Sequence, residues 1–96
     1  MIVIWTPEAE QDRLDIWEYI ALVDNPEAAA WMDHLFSEAA SGLAVHPKLG
    51  RTGKVPGTRE SIPHKSYRLV YQIAEETAWV LALVHTARQW PPLQKG

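Results

Sequence analysis

The 96-residue chain contains no cysteine, which excludes a disulfide framework and a thiolate metal site and is compatible with a reducing compartment. It also has no apolar run close to the roughly 20 residues that a membrane-spanning helix requires. Acidic residues recur within the first twenty positions, so we expect no secretory leader. Together these features predict a cytoplasmic protein without a membrane partner.

Most sequence signatures of catalysis are missing as well. No serine lies in a nucleophile-elbow pattern and no glycine fingerprint follows a strand, so acyl transfer and dinucleotide binding have no support. The strand half of the chain offers only Glu60, Glu75 and Glu76, whereas a glycosidase needs two facing carboxylates. The four histidines lack the spacing of metal ligands, and we expect no metal and no other cofactor.

What the chain does have is a divided charge beneath its net value of -3. Up to Lys48, two basic residues stand against nine acidic ones, and from Leu49 onward seven basic residues stand against three acidic ones. A chain divided in this way can present a basic surface to an anionic partner. The alternative is that acidic helices and basic strands simply attract one another.

The first half of the chain contains two signals for the start of a helix. Thr6-Pro7 and Asn25-Pro26 each combine an N-cap side chain with proline at the first helical position. The apolar periodicity predicts a first helix over about 7–23 and a second from Pro26 to the break at His46-Pro47, with Asp12 among the solvent-facing residues of the first. Because the link between them is short, the helices should form an antiparallel hairpin.

The second half is dominated by strand signals. Two runs, 67–74 and 78–86, are rich in β-branched and aromatic residues and are joined by the polar residues 75–77, which predicts a β-hairpin. From Ala78 to Val84 the second run is apolar on both alternating faces, as in a central strand covered on both sides. Strands at 1–5 and 59–63 complete the order β-α-α-β-β-β.

These elements predict an α+β fold in which the helical hairpin packs on one face of a small, mainly antiparallel sheet. We expect residues 1–96 to form a single domain with a loose tail from about residue 91.

Arginines and one histidine of the second half are the candidates for chemistry. Arg51 lies in a glycine-rich loop, where backbone N–H groups can approach an oxyanion. Guanidinium groups match phosphate oxygens, and His85 can move a proton near neutral pH, so such a set could cleave RNA without a metal. Alternatively, Arg68 pairs with Glu60 on a neighbouring strand and His85 forms a structural hydrogen bond.

Several short motifs occur in a fixed order along the chain, namely Ala9-x-x-Asp12-x-x-x-Ile16, Gly50-Arg51, Gly57-Thr58-Arg59-Glu60, Tyr67-Arg68-Leu69-Val70-Tyr71 and His85-Thr86-Ala87-Arg88-Gln89-Trp90-Pro91. In this order, and with these predicted elements, the chain resembles the RelE/ParE superfamily of bacterial type II toxin–antitoxin toxins over essentially its whole length.

The resemblance implies a growth-inhibiting toxin, of the kind linked to plasmid stabilisation, that a cognate antitoxin neutralises and that contacts operator DNA only through the antitoxin. ParE-like members inhibit DNA gyrase without nuclease activity, whereas RelE-like members cut mRNA on the ribosome. The loop and C-terminal motifs are more similar to the ParE branch, while the 67–71 motif is similar to a segment that supplies a catalytic arginine in RelE-like nucleases. A third possibility is a non-toxic co-repressor subunit bound to antitoxin.

We therefore predict a gyrase-poisoning toxin, with a ribosome-dependent mRNA endonuclease as the alternative. The candidates for target binding share a cationic or aromatic side chain and an expected common surface: Arg51, Arg59, Arg68, Arg88 and Trp90. In the nuclease alternative, the catalytic residues are Arg68, His85 and Arg88.

The two predicted helices carry the candidates for antitoxin binding. Arg13 falls inside its apolar arc, so either its stem lies along the sheet edge or this part of the helix faces a partner. A surface bounded by Trp17, Leu22 and Trp31 would accept an antitoxin helix, and the candidates for antitoxin binding are Arg13, Trp17 and Trp31. The alternative for Trp17 is a place in the core.

Overall fold

A computed structural model describes residues 1–92. The elements in chain order are β1 (Ile2–Trp5), α1 (Pro7–Val23), α2 (Pro26–Leu43), β2 (Arg51–Thr52), β3 (Thr58–His64), β4 (Tyr67–Ala74) and β5 (Thr77–His85). The predicted α+β fold is confirmed, with one additional two-residue strand, β2, that the glycine-rich loop conceals in the sequence. Residues 93–96 of the predicted tail lie outside the described residues.

Both helices begin where the sequence predicts. The Thr6 hydroxyl accepts a hydrogen bond from the N–H of Ala9 at 3.2 Å, and the Asn25 side-chain oxygen accepts one from the N–H of Ala28 at 2.7 Å. A proline follows each cap, at a position where its missing N–H costs nothing. Within residues 1–92, neither helix is long and apolar enough to cross a bilayer.

The sheet has the strand order β1-β5-β4-β3-β2, with β1 parallel to β5 and the remaining pairs antiparallel. β5 is therefore an inner strand, as predicted. The hairpin turn is one residue shorter than expected, because Thr77 already pairs with Ala74. Glu75 and Glu76 both adopt positive φ, at 51° and 62°, which matches the handedness of a two-residue hairpin turn.

The two faces of the sheet have different coverings. The face that we call the helix face packs against α1 and α2 through strand side chains that include Tyr67, Leu69, Tyr71, Val80 and Leu83. The opposite face, which we call the open face, has a small buried cluster of Val70, Ala82 and Val84. Because side chains alternate along a strand, each cationic candidate belongs to one face or the other.

Candidate functional site

Arg68 lies on the open face, where its strand register pairs it with Val84. The residue is only 5% exposed, and its Nη2 donates a hydrogen bond to the backbone carbonyl of Arg88 at 2.8 Å. Its Nε has no hydrogen-bond partner among the described residues. The guanidinium is thus covered by the chain that follows β5 rather than presented to solvent.

Residues 86–92, which we call the C-terminal segment, fold back over the open face. The N–H of Thr86 donates to the carbonyl of Ser66 at 2.9 Å, and a turn is closed by the N–H of Arg88 on the carbonyl of His85 at 2.8 Å. Trp90 then packs against the open-face cluster of Val70, Ala82 and Val84. The side chain of Arg88 is exposed.

Arg51 and Glu60 form a cross-strand ion pair on the same open face. Arg51 pairs with Glu60 in the register of β2 and β3, and the guanidinium lies 3.1 Å from the carboxylate. Glu60 is 5% exposed, whereas the side chain of Arg51 is largely in solvent. The alternative pairing of Arg68 with Glu60 is therefore wrong, because the register places Val70, not Arg68, opposite Glu60.

Arg59 lies on the helix face, opposite Tyr71. Its guanidinium donates to the carbonyls of Gly50 and Lys48, at 2.8 Å and 3.3 Å. The Tyr71 hydroxyl fixes the same loop, since it donates to the carbonyl of Pro47 at 2.7 Å and accepts from the N–H of Gly50 at 3.1 Å. Arg59 thus serves as a tether for the loop between α2 and β2.

The N–H groups of two loop glycines, Gly50 and Gly53, are not available to an oxyanion. The N–H of Gly50 is used by Tyr71, and the N–H of Gly53 donates to the carbonyl of Thr58 at 2.8 Å. A Cβ at Gly50 would lie 2.7 Å from the carbonyl oxygen of Glu60, so glycine here permits close approach of two strands. The predicted oxyanion role of this loop is not supported by its geometry.

His85 lies on the helix face, across the strands from Tyr67. Its ring packs edge-on against Tyr67, with 5.5 Å between centroids, and Tyr67 packs in the same way on Phe36. The His85 Nδ1 accepts a hydrogen bond from the N–H of Ala87 at 3.1 Å, and burial raises the pKa of Tyr67. His85 therefore forms a structural hydrogen bond, as in the alternative to a proton-transfer role.

The structure does not gather all the predicted cations on one surface. Arg68 meets the backbone carbonyl of Arg88, and Arg51 shares the open face with Arg68, but Arg59 and His85 belong to the opposite face. The prediction of one common cationic surface is wrong for Arg59, because the strand register directs its side chain toward the loop that precedes β2.

A groove between α1 and α2 contains two of the antitoxin candidates. Arg13 makes a bidentate ion pair with Asp33 of α2, with nitrogen–oxygen distances of 2.5 Å and 2.8 Å, and its guanidinium lies 4.8 Å from the ring centroid of Trp5. The bond to Asp33 raises the pKa of Arg13. Leu14 and Trp17 border this pair and are 49% and 37% exposed, so Trp17 is not a core residue.

Trp31 lies elsewhere. Two residues turn a helix by about 200°, so Trp31 and Asp33 project from opposite flanks of α2. The Trp31 ring packs edge-on against His64 of β3, with 5.9 Å between centroids. The candidates Arg13, Trp17 and Trp31 are therefore divided between the two flanks of α2 and do not form one surface.

Two acidic residues escaped the sequence analysis. Asp33 forms the ion pair with Arg13 in the groove. The position of Arg13 inside an apolar arc was the sequence signal for an acidic partner. Asp12, expected to face solvent, instead accepts the N–H of Leu83 at 3.1 Å, at a point where β5 has no β1 neighbour. Burial raises the pKa of Asp12, and this hydrogen bond partly opposes the shift. Among residues 1–92, no group of three or more His, Asp or Glu side chains is placed to hold a metal.

Residues 3–90 match the family of the ParE toxin of the type II toxin-antitoxin system, parDE. A Sinorhizobium fredii protein named "Putative toxin Y4kP" is 33% identical over 88 residues, which cover 91% of this chain and 90% of that protein. The chain belongs to the ParE toxin family, within the RelE/ParE superfamily that the sequence motifs indicate.

Solved structures agree with the fold. A structure described as the chromosomal ParDE TA system from P. aeruginosa superposes with a TM-score of 0.79 at 20% identity, covering 88% of this chain and 95% of that one. A YoeB dimer from Staphylococcus aureus gives a TM-score of 0.59 at 15% identity, with coverage of 85% and 92%. At these identities the likeness concerns the arrangement of helices and strands.

Proposed function

We propose that this toxin inhibits growth in the cytoplasm by binding DNA gyrase, and not by cutting RNA. The observation that carries the proposal is the separation of Arg68 from His85. Arg68 is buried on the open face beneath the C-terminal segment, whereas His85 packs on the helix face. Cleavage of a phosphodiester requires the proton-transfer group and the cation on the same side of the substrate, so this arrangement favours binding over catalysis.

The binding surface is the C-terminal segment together with the adjoining edge of the open face. Arg88 projects into solvent, Trp90 is half-buried two residues further along the chain, and Arg51 provides a second exposed cation, on the open face. Arginine and tryptophan are the residue types that most often dominate the binding energy of protein interfaces. A surface of this composition suits a large partner with acidic patches.

The test is induction of the protein in bacterial cells. We expect filamentation with DNA-damage signalling and intact messages, and we expect His85→Ala to retain full toxicity. Arg88→Ala should lose most of it, whereas Lys65→Ala, which removes an exposed cation from the turn between β3 and β4, should not. Rapid arrest of translation with cleaved messages would contradict the proposal and favour the nuclease.

We further propose that a cognate antitoxin neutralises the toxin by laying a helix in the groove between α1 and α2. Leu14 and Trp17 expose apolar surface there, and the ion pair of Arg13 with Asp33 gives the groove a fixed polar floor. An amphipathic helix buries its apolar face against such a surface. The ParDE complex in the comparison concerns a homologue, and the groove of this chain supports the same kind of partner.

Co-purification with the product of the adjoining reading frame tests this second proposal. Leu14→Glu should weaken the complex more than about tenfold, because it places a charge among desolvated apolar groups. Trp31→Ala serves as the matched control, since Trp31 is an exposed tryptophan on the other flank of α2. If Trp31→Ala weakens the complex and Leu14→Glu does not, the antitoxin binds outside the groove.

A further inference from the structure

We propose that Arg68 is a positioning residue, whose buried guanidinium holds the C-terminal segment against the open face and so fixes the direction in which Arg88 projects. The contacts of Arg68 with the segment support the positioning role whatever the target of the toxin is. Its consequence for inhibition rests on the proposed function, in which Arg88 and Trp90 contact the target.

The charge balance around Arg68 supports this role. A buried cation is costly unless it is paired or hydrogen-bonded, and Arg68 is 5% exposed. The nearby carboxylate of Glu60 is already engaged by Arg51. The bond from Arg68 is instead made to the carbonyl of Arg88 at 2.8 Å, while Nε has no partner among residues 1–92. Retention of this guanidinium in the fold therefore depends on the backbone of the segment.

The same bond organises the segment in return. Thr86 is fixed at one end by its N–H on the carbonyl of Ser66, and Trp90 is fixed at the other by contact with Val70, Ala82 and Val84. Arg68 holds the backbone at residue 88, midway between these two attachments. Between these attachments the side chain of Arg88 faces solvent, as do its neighbours Ala87 and Gln89.

The experiment measures protection of the segment in the full chain. Arg68→Met keeps the length and the apolar stem of the side chain but removes every donor. We expect trypsin cleavage after Arg88, and amide exchange over residues 86–90, to accelerate about tenfold or more, as the loss of a charge-assisted hydrogen bond predicts. Arg68→Lys retains a donor and should give partial rescue. The midpoint of thermal unfolding should change little for Arg68→Met, because removal of a buried charge offsets the lost bond.

Arg59→Met is the matched control, since Arg59 also donates to backbone carbonyls but tethers the loop at residues 48–50. It should accelerate cleavage after Lys48 and leave Arg88 protected. If Arg68→Met leaves the segment protected, the positioning role is overturned. It is also overturned if every site in Arg68→Met becomes susceptible together, because Arg68 then acts through global stability.

Inhibition of purified gyrase separates this role from the proposed function. If Arg68→Met and Arg88→Ala lose inhibition equally, and the segment is released in Arg68→Met, the positioning role and the proposed target surface are both supported. Release of the segment with undiminished inhibition in both variants supports the positioning role and contradicts the proposed target surface. Lost inhibition in Arg68→Met with a protected segment would mean that Arg68 contacts the target directly, which overturns the positioning role.

Discussion

The two faces of the sheet are made from similarly apolar strands but are covered in opposite ways. The helix face is buried beneath two helices, with core residues contributed by α1, α2, β4 and β5. The open face has a buried apolar cluster of only three strand residues, and Trp90 packs against it. Trp79 of β5 remains 37% exposed on this face, so the prediction that β5 is covered on both sides is wrong there. An apolar strand thus indicates an inner position in the sheet without indicating what covers it.

This difference in covering indicates that the helix face stabilises the fold and that the open face serves in binding. The helix face supplies most of the buried apolar area and therefore most of the stability of the fold. The open face supplies little of that stability and instead carries the C-terminal segment with Arg88. Changes on the helix face should affect folding, and changes on the open face should affect binding.

The largest expected effect is that of Phe36→Ala on the helix face. Phe36 is 1% exposed and packs edge-on against Tyr67, so its removal should lower the free energy of unfolding by about 3–5 kcal/mol. Trp90→Ala on the open face should cost only about 1–2 kcal/mol, because Trp90 is half-buried in a chain segment outside the sheet. Urea unfolding of both variants measures the contrast. Equal costs would contradict the division between the faces.

Tyr71→Phe should have the next largest effect. Its hydroxyl joins the carbonyl of Pro47 to the N–H of Gly50 at the margin of the helix face, so loss of the hydroxyl should cost about 1–3 kcal/mol. Tyr19→Phe removes a hydroxyl from an exposed tyrosine and should change the free energy by less than about 0.5 kcal/mol. Urea unfolding measures both variants. Equal changes in the free energy of unfolding would contradict a stabilising role of the Tyr71 hydroxyl.

Asp12 gives the helix face a pH dependence. Burial raises the pKa of its carboxyl, so the folded state binds more protons than the unfolded state between the ordinary pKa of 3.8 and the raised value. The Asp12 contribution to stability therefore falls as the pH rises through this window. Asp12→Asn should remove that part of the pH dependence while keeping an acceptor for the N–H of Leu83.

Asp12→Ala should behave differently, because it leaves the Leu83 amide without its acceptor and should cost about 1–3 kcal/mol at neutral pH. Unfolding free energies of the wild type and both variants, measured from about the ordinary carboxyl pKa to neutrality, test the assignment. An unchanged pH profile in Asp12→Asn would show that other carboxyl groups dominate this range.

The smallest effect is expected for Ile2→Thr on the open face. Ile2 is 64% exposed at the outer strand β1, so the replacement should change the free energy of unfolding by less than about 0.5 kcal/mol. A loss well above this in urea unfolding would show that the open face contributes more to the fold than its burial indicates.

Local signals account for the part of the fold that the sequence analysis predicted. The helix starts at Thr6 and Asn25 depend on cap residues within four positions, and both are observed. The predicted hairpin turn was one residue too long. Two-residue turns of this kind usually have asparagine or glycine at their positions of positive φ, whereas this chain has Glu75 and Glu76 there.

The candidate site was less predictable because its geometry depends on strand register. A shift of one residue exchanges the faces of a strand, and β3 has an irregular register between Ser61 and His64 that no local pattern reveals. The assignment of Arg59 to one face and Arg68 to the other follows from the regular part of the pairing, in which Arg59 lies opposite Tyr71, three residues from Arg68 along β4. The partner of Arg13, in turn, lies twenty residues away on another helix.

Supercoiling of relaxed plasmid DNA by purified gyrase, titrated with the protein, tests the central claim most directly. The account predicts inhibition at micromolar protein that Lys65→Ala retains and that Arg88→Ala weakens by about tenfold or more, as for a residue central to an interface. Supercoiling that proceeds unchanged at these concentrations, with the folded wild-type protein present, would contradict it.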